Sequence, residues 1–206
     1  MKTNTLPNYL LESKEINIIG PCAIEEGLID LTLPSLIIDG GLNHGLSFER
    51  SFSVGDGDSS DTSLDITLPR DKDQSDLAYA LNLLGENIKC INLYGFLGGR
   101  RDHEFINIGE VYNFCERFEA IARFQREIYL LPKGAHCLEI IGEFSIMSLR
   151  QSLISIGGQA KYCLEESSPL GPLSSHGLSN IGKGEITLSS NTPLIIYTQE
   201  QSLILL

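Results

Sequence analysis

Basic residues are scarce in this chain: 15 Lys and Arg stand against 27 Asp and Glu, a formal net charge of −12. Affinity for a nucleic-acid backbone comes largely from cations that neutralise phosphates, so no nucleic-acid partner is expected. Paired cysteines are missing as well. Cys22, Cys90, Cys115, Cys137 and Cys163 are odd in number and scattered, with no C-x-x-C pair and no Cys/His cluster at zinc spacing. They read as reduced core thiols of a cytoplasmic protein. No apolar run approaches the roughly 18 to 20 residues of a membrane helix, and Met1-Lys2-Thr3-Asn4-Thr5 is followed by no signal-peptide core. The expectation is a soluble cytoplasmic chain with no membrane partner. Internal repeats and low-complexity tracts are also absent.

What is present is an ordinary globular composition, 42% hydrophobic and 20% charged over 206 residues, enough for one large domain or two small ones. Up to about residue 131 short apolar runs alternate with helical patterns. The runs are Ile16 to Ile19, Leu36 to Ile38, Phe52 to Val54, Ile88 to Tyr94 and Ile128 to Leu131. That texture predicts an α/β domain with a largely parallel sheet. Asp73 or Ser75 is positioned to cap a helix with Leu77, Ala80, Leu81 and Leu84 on its apolar face, ending at Gly85. A second helix is predicted from about His103 to Phe124, with Phe105, Ile108, Val111, Tyr112, Cys115, Phe118 and Ala122 at helical spacing.

After Pro132-Lys133-Gly134 the pattern becomes short alternating stretches: His136 to Ile141, Phe144 to Leu149, Ala160 to Leu164, Glu185 to Ser189 and Leu194 to Thr198. These predict a small antiparallel β-sandwich. The expected division is 1–131 and 132–206.

The acidic residues of the first half collect at strand and loop ends: Asp39 in Asp39-Gly40-Gly41, Asp56 and Asp58 in Gly55-Asp56-Gly57-Asp58-Ser59, and Asp73 and Asp76 before the first helix. In open α/β sheets ligands bind beyond the carboxyl ends of the strands, and carboxylates there suit a Mg²⁺ that also meets phosphate oxygens. Each motif alone is also a common turn or helix start. A calcium loop over Asp56 to Thr67 is rejected, because its sixth position is Asp61 and its twelfth is Thr67. Gly98-Gly99-Arg100-Arg101-Asp102-His103 joins a flexible turn, two guanidinium groups and a helix start. Physically that is an anion site. It matches neither G-x-x-x-x-G-K-[ST] nor G-x-G-x-x-G.

In order and spacing these motifs resemble the thiamin pyrophosphokinase family, whose members carry D-G-G, G-D-F-D-S, D-x-x-x-T-D and G-G-R-x-D-H. Gly158 to Leu164 and Ser179-Asn180 fit the family's later G-x-K-Y-x-L strand and S-N turn. The departures are Gly57 in place of Phe and Ser75 in place of Thr. The resemblance implies an N-terminal Rossmann-like ATP/Mg domain and a C-terminal thiamin-binding β-sandwich. It implies a transferase, thiamin diphosphokinase, that moves pyrophosphate from Mg-ATP to the hydroxyl of thiamin, releasing AMP. Asp39, Asp56, Asp58 and Asp76 are then the metal ligands. Asp39, Gly40, Ser59, Gln74, Ser75, Arg100 and His103 contact ATP, and Arg100 steadies the transferring group. Asp76 or Asp102 accepts the hydroxyl proton, and Ser179 and Asn180 hold thiamin near a homodimer interface. The rival reading is a non-catalytic thiamin- or nucleotide-binding regulatory protein with the same fold, favoured by Gly57.

Overall fold

The computed structural model describes residues 5–59, 62–198 and 203–206. Its contacts divide into two compact units, Met1–Phe114 and Cys115–Leu206. The first runs α1 (Asn8–Leu11), β1 (Glu15–Ile19), β2 (Ser35–Ile38), β3 (Ser51–Gly55), β4 (Ile66–Thr67), α2 (Asp76–Leu83), β5 (Cys90–Tyr94) and most of α3 (Arg101–Phe118). Strands covered on both faces need apolar side chains at successive positions rather than at alternate ones. β2 and β5 are buried at every residue, and β1 at all but Glu15. The strands are parallel in the order β5-β1-β2-β3-β4. Parallel order brings all their carboxyl ends to one edge, where Gly20, Asp39, Asp56 and Gly95 follow directly on β1, β2, β3 and β5.

The second unit holds β6 (Ile121–Phe124), β7 (Ile128–Leu131), β8 (Gly134–Met147), β9 (Ser152–Ala160), β10 (Leu164–Leu170), β11 (Asn180–Ser190), β12 (Leu194–Thr198) and β13 (Leu203–Leu205). All of its pairings are antiparallel. A core of Leu138, Ile140, Phe144, Ile146, Ile186, Leu188 and Ile196, with their neighbours, is almost fully removed from water. The strands hydrogen-bond in one unbroken path, β10-β9-β11-β8-β12-β7-β6, with β13 on the free stretch of β8. Pairing therefore does not separate the two sheets of the expected sandwich. The fold class is a mostly-sheet α/β protein.

Several sequence expectations change in detail. The division falls inside α3 rather than after residue 131, because β7 pairs with β12 and β6 pairs with β7, which ties 121–131 to the later strands. The helix predicted to reach Phe124 stops at Phe118. Glu119, at φ 52°, turns the chain out of the helix, and Ala122 and Phe124 then bury alternate side chains in β6. Phe105 is exposed rather than buried, and the packed face of α3 is Val111, Tyr112, Phe114 and Cys115. The stretches 136–141 and 144–149 are largely one strand, β8, with Gly142 at φ 111° carrying the ladder through. Residues 161–163 form the connection between β9 and β10 instead of a strand.

Helix α2 starts as predicted, with Ser75 Oγ accepting from Ala78 N at 3.1 Å. The cysteines are free, but only Cys90 and Cys115 are buried, and Cys163 is exposed. Asp61, the sixth position of the rejected calcium loop, and Met1 to Asn4 lie outside the described residues. Among the described residues no helix is long and apolar enough to cross a membrane.

Candidate active site

At the carboxyl edge of the parallel strands the first unit has a cavity of about 570 Å³. Asp39, Asp56, Asp58, Ser59, Ser75, Asp76, Arg100 and His103 line it. Gly40, Gln74 and Asp102 are not among its lining residues. Gly40 is buried behind it, where an added Cβ would come within 3.1 Å of Pro21 Cβ and Ser59 O. Gln74 is exposed and accepts from Asn82 Nδ2 at 3.4 Å.

Asp39 is the anchor. It opens the turn Asp39–His44 with φ 43°, a left-handed backbone that Asp tolerates better than most side chains. Its carboxylate is buried, and backbone N–H groups of the following loop hold it: Gly57 N donates to Oδ1 at 2.9 Å and Ser59 N to Oδ2 at 3.1 Å. Gly57 itself has φ 72°, a conformation that suits glycine, and an added Cβ there would meet nothing closer than Leu64 Cδ1 at 3.8 Å. The residue that departs from the family pattern thus supplies a clamp on the site's central carboxylate.

Asp39, Asp56 and Asp58 each bring one carboxylate oxygen within 4.8 Å of the others. Asp76, expected with them as a ligand, does not join that group. Lys72, which the sequence reading overlooked, stands between Asp56 and Asp76: its ammonium is 2.8 Å from Asp56 Oδ2 and 2.9 Å from Asp76 Oδ1. The first contact is a hydrogen bond. The second pairs the same ammonium with the Asp76 carboxylate. Hydrogen bonding to Lys72 lowers the Asp56 carboxyl, whereas burial raises that of Asp76 against the pull of Lys72. An oxygen-only donor set fits Mg²⁺.

The Gly-rich turn is held from α3. Glu104 Oε1 accepts from Gly98 N at 2.6 Å, and Oε2 pairs with Arg101 Nη1 at 2.7 Å. Its position was legible only as a first-turn acid. We expect Glu104→Ala to release the turn that carries Arg100 and to lower kcat/KM for nucleotide about tenfold; steady-state kinetics with a circular-dichroism check of folding measure this. Arg100 is bound to Asp102 in a two-pronged exposed pair, at 3.1 and 2.5 Å, which holds the Asp102 carboxyl down to about 2.

Residues 34–122 match the family model for the thiamin pyrophosphokinase catalytic domain. Over that segment the chain matches the thiamin pyrophosphokinase family. Among solved structures, thiamine pyrophosphokinase from Bacillus subtilis is 22% identical, with a TM-score of 0.68 over 91% of this chain and 100% of that one. Thiamin pyrophosphokinase from Candida albicans is 17% identical, with a TM-score of 0.67 over 92% and 89%. The yeast enzyme is 14% identical, with a TM-score of 0.57 over 98% and 90%. At these identities the likeness is one of fold. No curated protein sequence gives a significant match to the chain.

The second unit has its own cavity, about 470 Å³, lined by Ile156, Lys161 to Leu164, His176 to Leu178 and Asn180. Ser179, at φ 55°, is exposed and donates through Oγ to Glu143 Oε1 at 3.1 Å. Asn180 is buried and bonded to backbone. Its Oδ1 accepts from Tyr162 N at 3.0 Å and Ile181 N at 2.8 Å, and its Nδ2 donates to Tyr162 O at 2.7 Å. It fixes the 161–163 connection beside this cavity. Asn180→Ala strands those backbone groups, and we expect a loss of about 2–3 kcal/mol in urea unfolding.

Proposed function

We propose that this protein transfers pyrophosphate from ATP to the hydroxyl of thiamin, giving thiamin diphosphate and AMP. The observation that carries the reading is the convergence of Asp39, Asp56 and Asp58 at the ends of parallel strands, in a cavity that Arg100 and His103 also line. In this reading Asp39, Asp56 and Asp58 hold Mg²⁺, which when bound offsets the charge of the phosphate oxygens. The first unit takes ATP. Ser59, Ser75 and His103 meet the nucleotide along the cavity wall, with Gly40 and Gln74 supporting the loops behind them.

Thiamin's oxygen attacks the β-phosphorus in line. The bond from the β-phosphorus to the α,β-bridging oxygen breaks, and that oxygen leaves with AMP. Arg100 turns from Asp102 onto the transferring group, an exchange of one anion for another that its exposed position permits. The hydroxyl proton passes to Asp76. Asp102 is the weaker candidate, because it does not line the cavity that Asp76 lines. Asp76 stands outside the three-carboxylate group, and burial raises its carboxyl.

Thiamin itself is assigned to the second unit, at the cavity of Tyr162 and Leu178, with Ser179 and Asn180 shaping its wall and a second copy of the chain completing it. The test is AMP release with Mg²⁺ and ATP, followed by chromatography with and without thiamin. The reading requires AMP that depends on thiamin and equals the thiamin diphosphate formed. ADP in its place, or AMP without thiamin, would count against it.

A further inference from the structure

Lys72 stands among the site's carboxylates. Its side chain is 13% exposed, those of Asp56 and Asp76 are 11% and 18%, and its ammonium lies within 2.9 Å of both. The two carboxylates hold the ammonium between them. Asp39 adds to the negative field that Asp76 feels, and Asp58 lies across the three-carboxylate group. A charge so placed has two consequences. It relieves repulsion between carboxylates while the site holds no other cation. It also repels a divalent cation approaching Asp56, at the few-ångström range where like charges interact strongly.

We propose that Lys72 is a resident counter-ion that competes with the divalent cation for Asp56 and moves onto a phosphate oxygen when nucleotide arrives. This inference rests on the proposed ATP site. It predicts that cation and nucleotide bind together better than either binds alone, because only the nucleotide offers the displaced ammonium a new anion. Coupling of this kind is reciprocal, so it is the same whichever ligand is titrated first.

The probes are Mn²⁺ alone, read by electron paramagnetic resonance, and α,β-methylene-ATP, whose carbon bridge blocks transfer, read by calorimetry. Lys72→Met removes the charge and keeps much of the stem. We expect this variant to bind Mn²⁺ alone about tenfold more tightly than the wild-type protein, and the analogue in the presence of Mn²⁺ about tenfold more weakly. Lys72→Arg keeps the charge and is expected to leave Mn²⁺ affinity unraised. If Lys72→Met does not fold by circular dichroism, Lys72→Gln carries the same expectation. Mn²⁺ affinity in the folded neutral variant at or below that of wild type overturns the inference and leaves Lys72 an ordinary ion-pair residue. Thiamin-dependent AMP release by the wild-type protein separates the two readings: if it persists while the Mn²⁺ result fails, only the counter-ion role falls. If wild type neither releases AMP nor binds Mn²⁺ even in the presence of the analogue, both fall.

Discussion

Asp39→Asn is expected to reduce thiamin diphosphate formation on the order of 10²- to 10³-fold, the range typical of losing one well-placed electrostatic group at a reacting centre. The carboxylate performs two tasks at once. Its oxygens receive Gly57 N and Ser59 N, which sets the course of the loop bearing Asp58, and it contributes one member of the three-carboxylate group. Asparagine keeps one carbonyl oxygen for one of those donors and turns an amide N–H toward the other. A stability loss of about 1–3 kcal/mol should therefore accompany the loss of turnover. Asp58→Asn, altering an exposed side chain, should lose turnover with little change in the unfolding midpoint. Steady-state kinetics and urea unfolding on both variants separate the tasks. Equal loss of stability in the two would contradict this division.

Gly95→Ala is the second large effect, and it acts through the backbone. Gly95 follows β5 at φ 76°, and an added Cβ would stand 2.4 Å from Gly20 O and 2.8 Å from Cys22 O. The neighbours are main chain at the ends of two paired strands, held by Gly20 N to Tyr94 O at 2.7 Å and Cys22 N to Gly95 O at 2.9 Å. Neither can yield without parting that crossing. The combination of unfavourable φ and backbone overlap is expected to cost about 2–4 kcal/mol. Because Gly95 and Cys22 both line the cavity, whatever folds should also bind nucleotide poorly. An unfolding midpoint unchanged from wild type would contradict the close approach.

How much of this was legible follows from where each signal lives. The parallel strands were readable because burial on both faces writes itself as an uninterrupted apolar run, as in Ile16 to Ile19 and Leu36 to Ile38. The carboxylates were readable because strand ends put Asp39 and Asp56 where ligands bind in such sheets. Lys72 was not, since an Asp-Lys-Asp sequence ordinarily describes a solvated loop, and only the packing of α2 brings Asp76 across from Asp56. Glu104 was equally silent, because an acid in a first turn already has a reason to be there. The misplaced end of α3 has a local cause. Phe118 and Ala122 continue the helical spacing while the stop is a Glu at φ 52°, a role that glycine usually marks. Asn180 was read as a ligand contact, but its side chain is committed to Tyr162 and Ile181, a use that appears only when the chain folds back on itself.

The most direct test of the central claim is the fate of label from ATP carrying ³²P at the γ position, incubated with Mg²⁺, thiamin and the wild-type protein beside Asp39→Asn. Transfer of the β,γ unit places the label in thiamin diphosphate together with unlabelled AMP, and the variant forms little of either. Label recovered in thiamin monophosphate, or released as inorganic phosphate or pyrophosphate in a reaction indifferent to thiamin, would contradict the account.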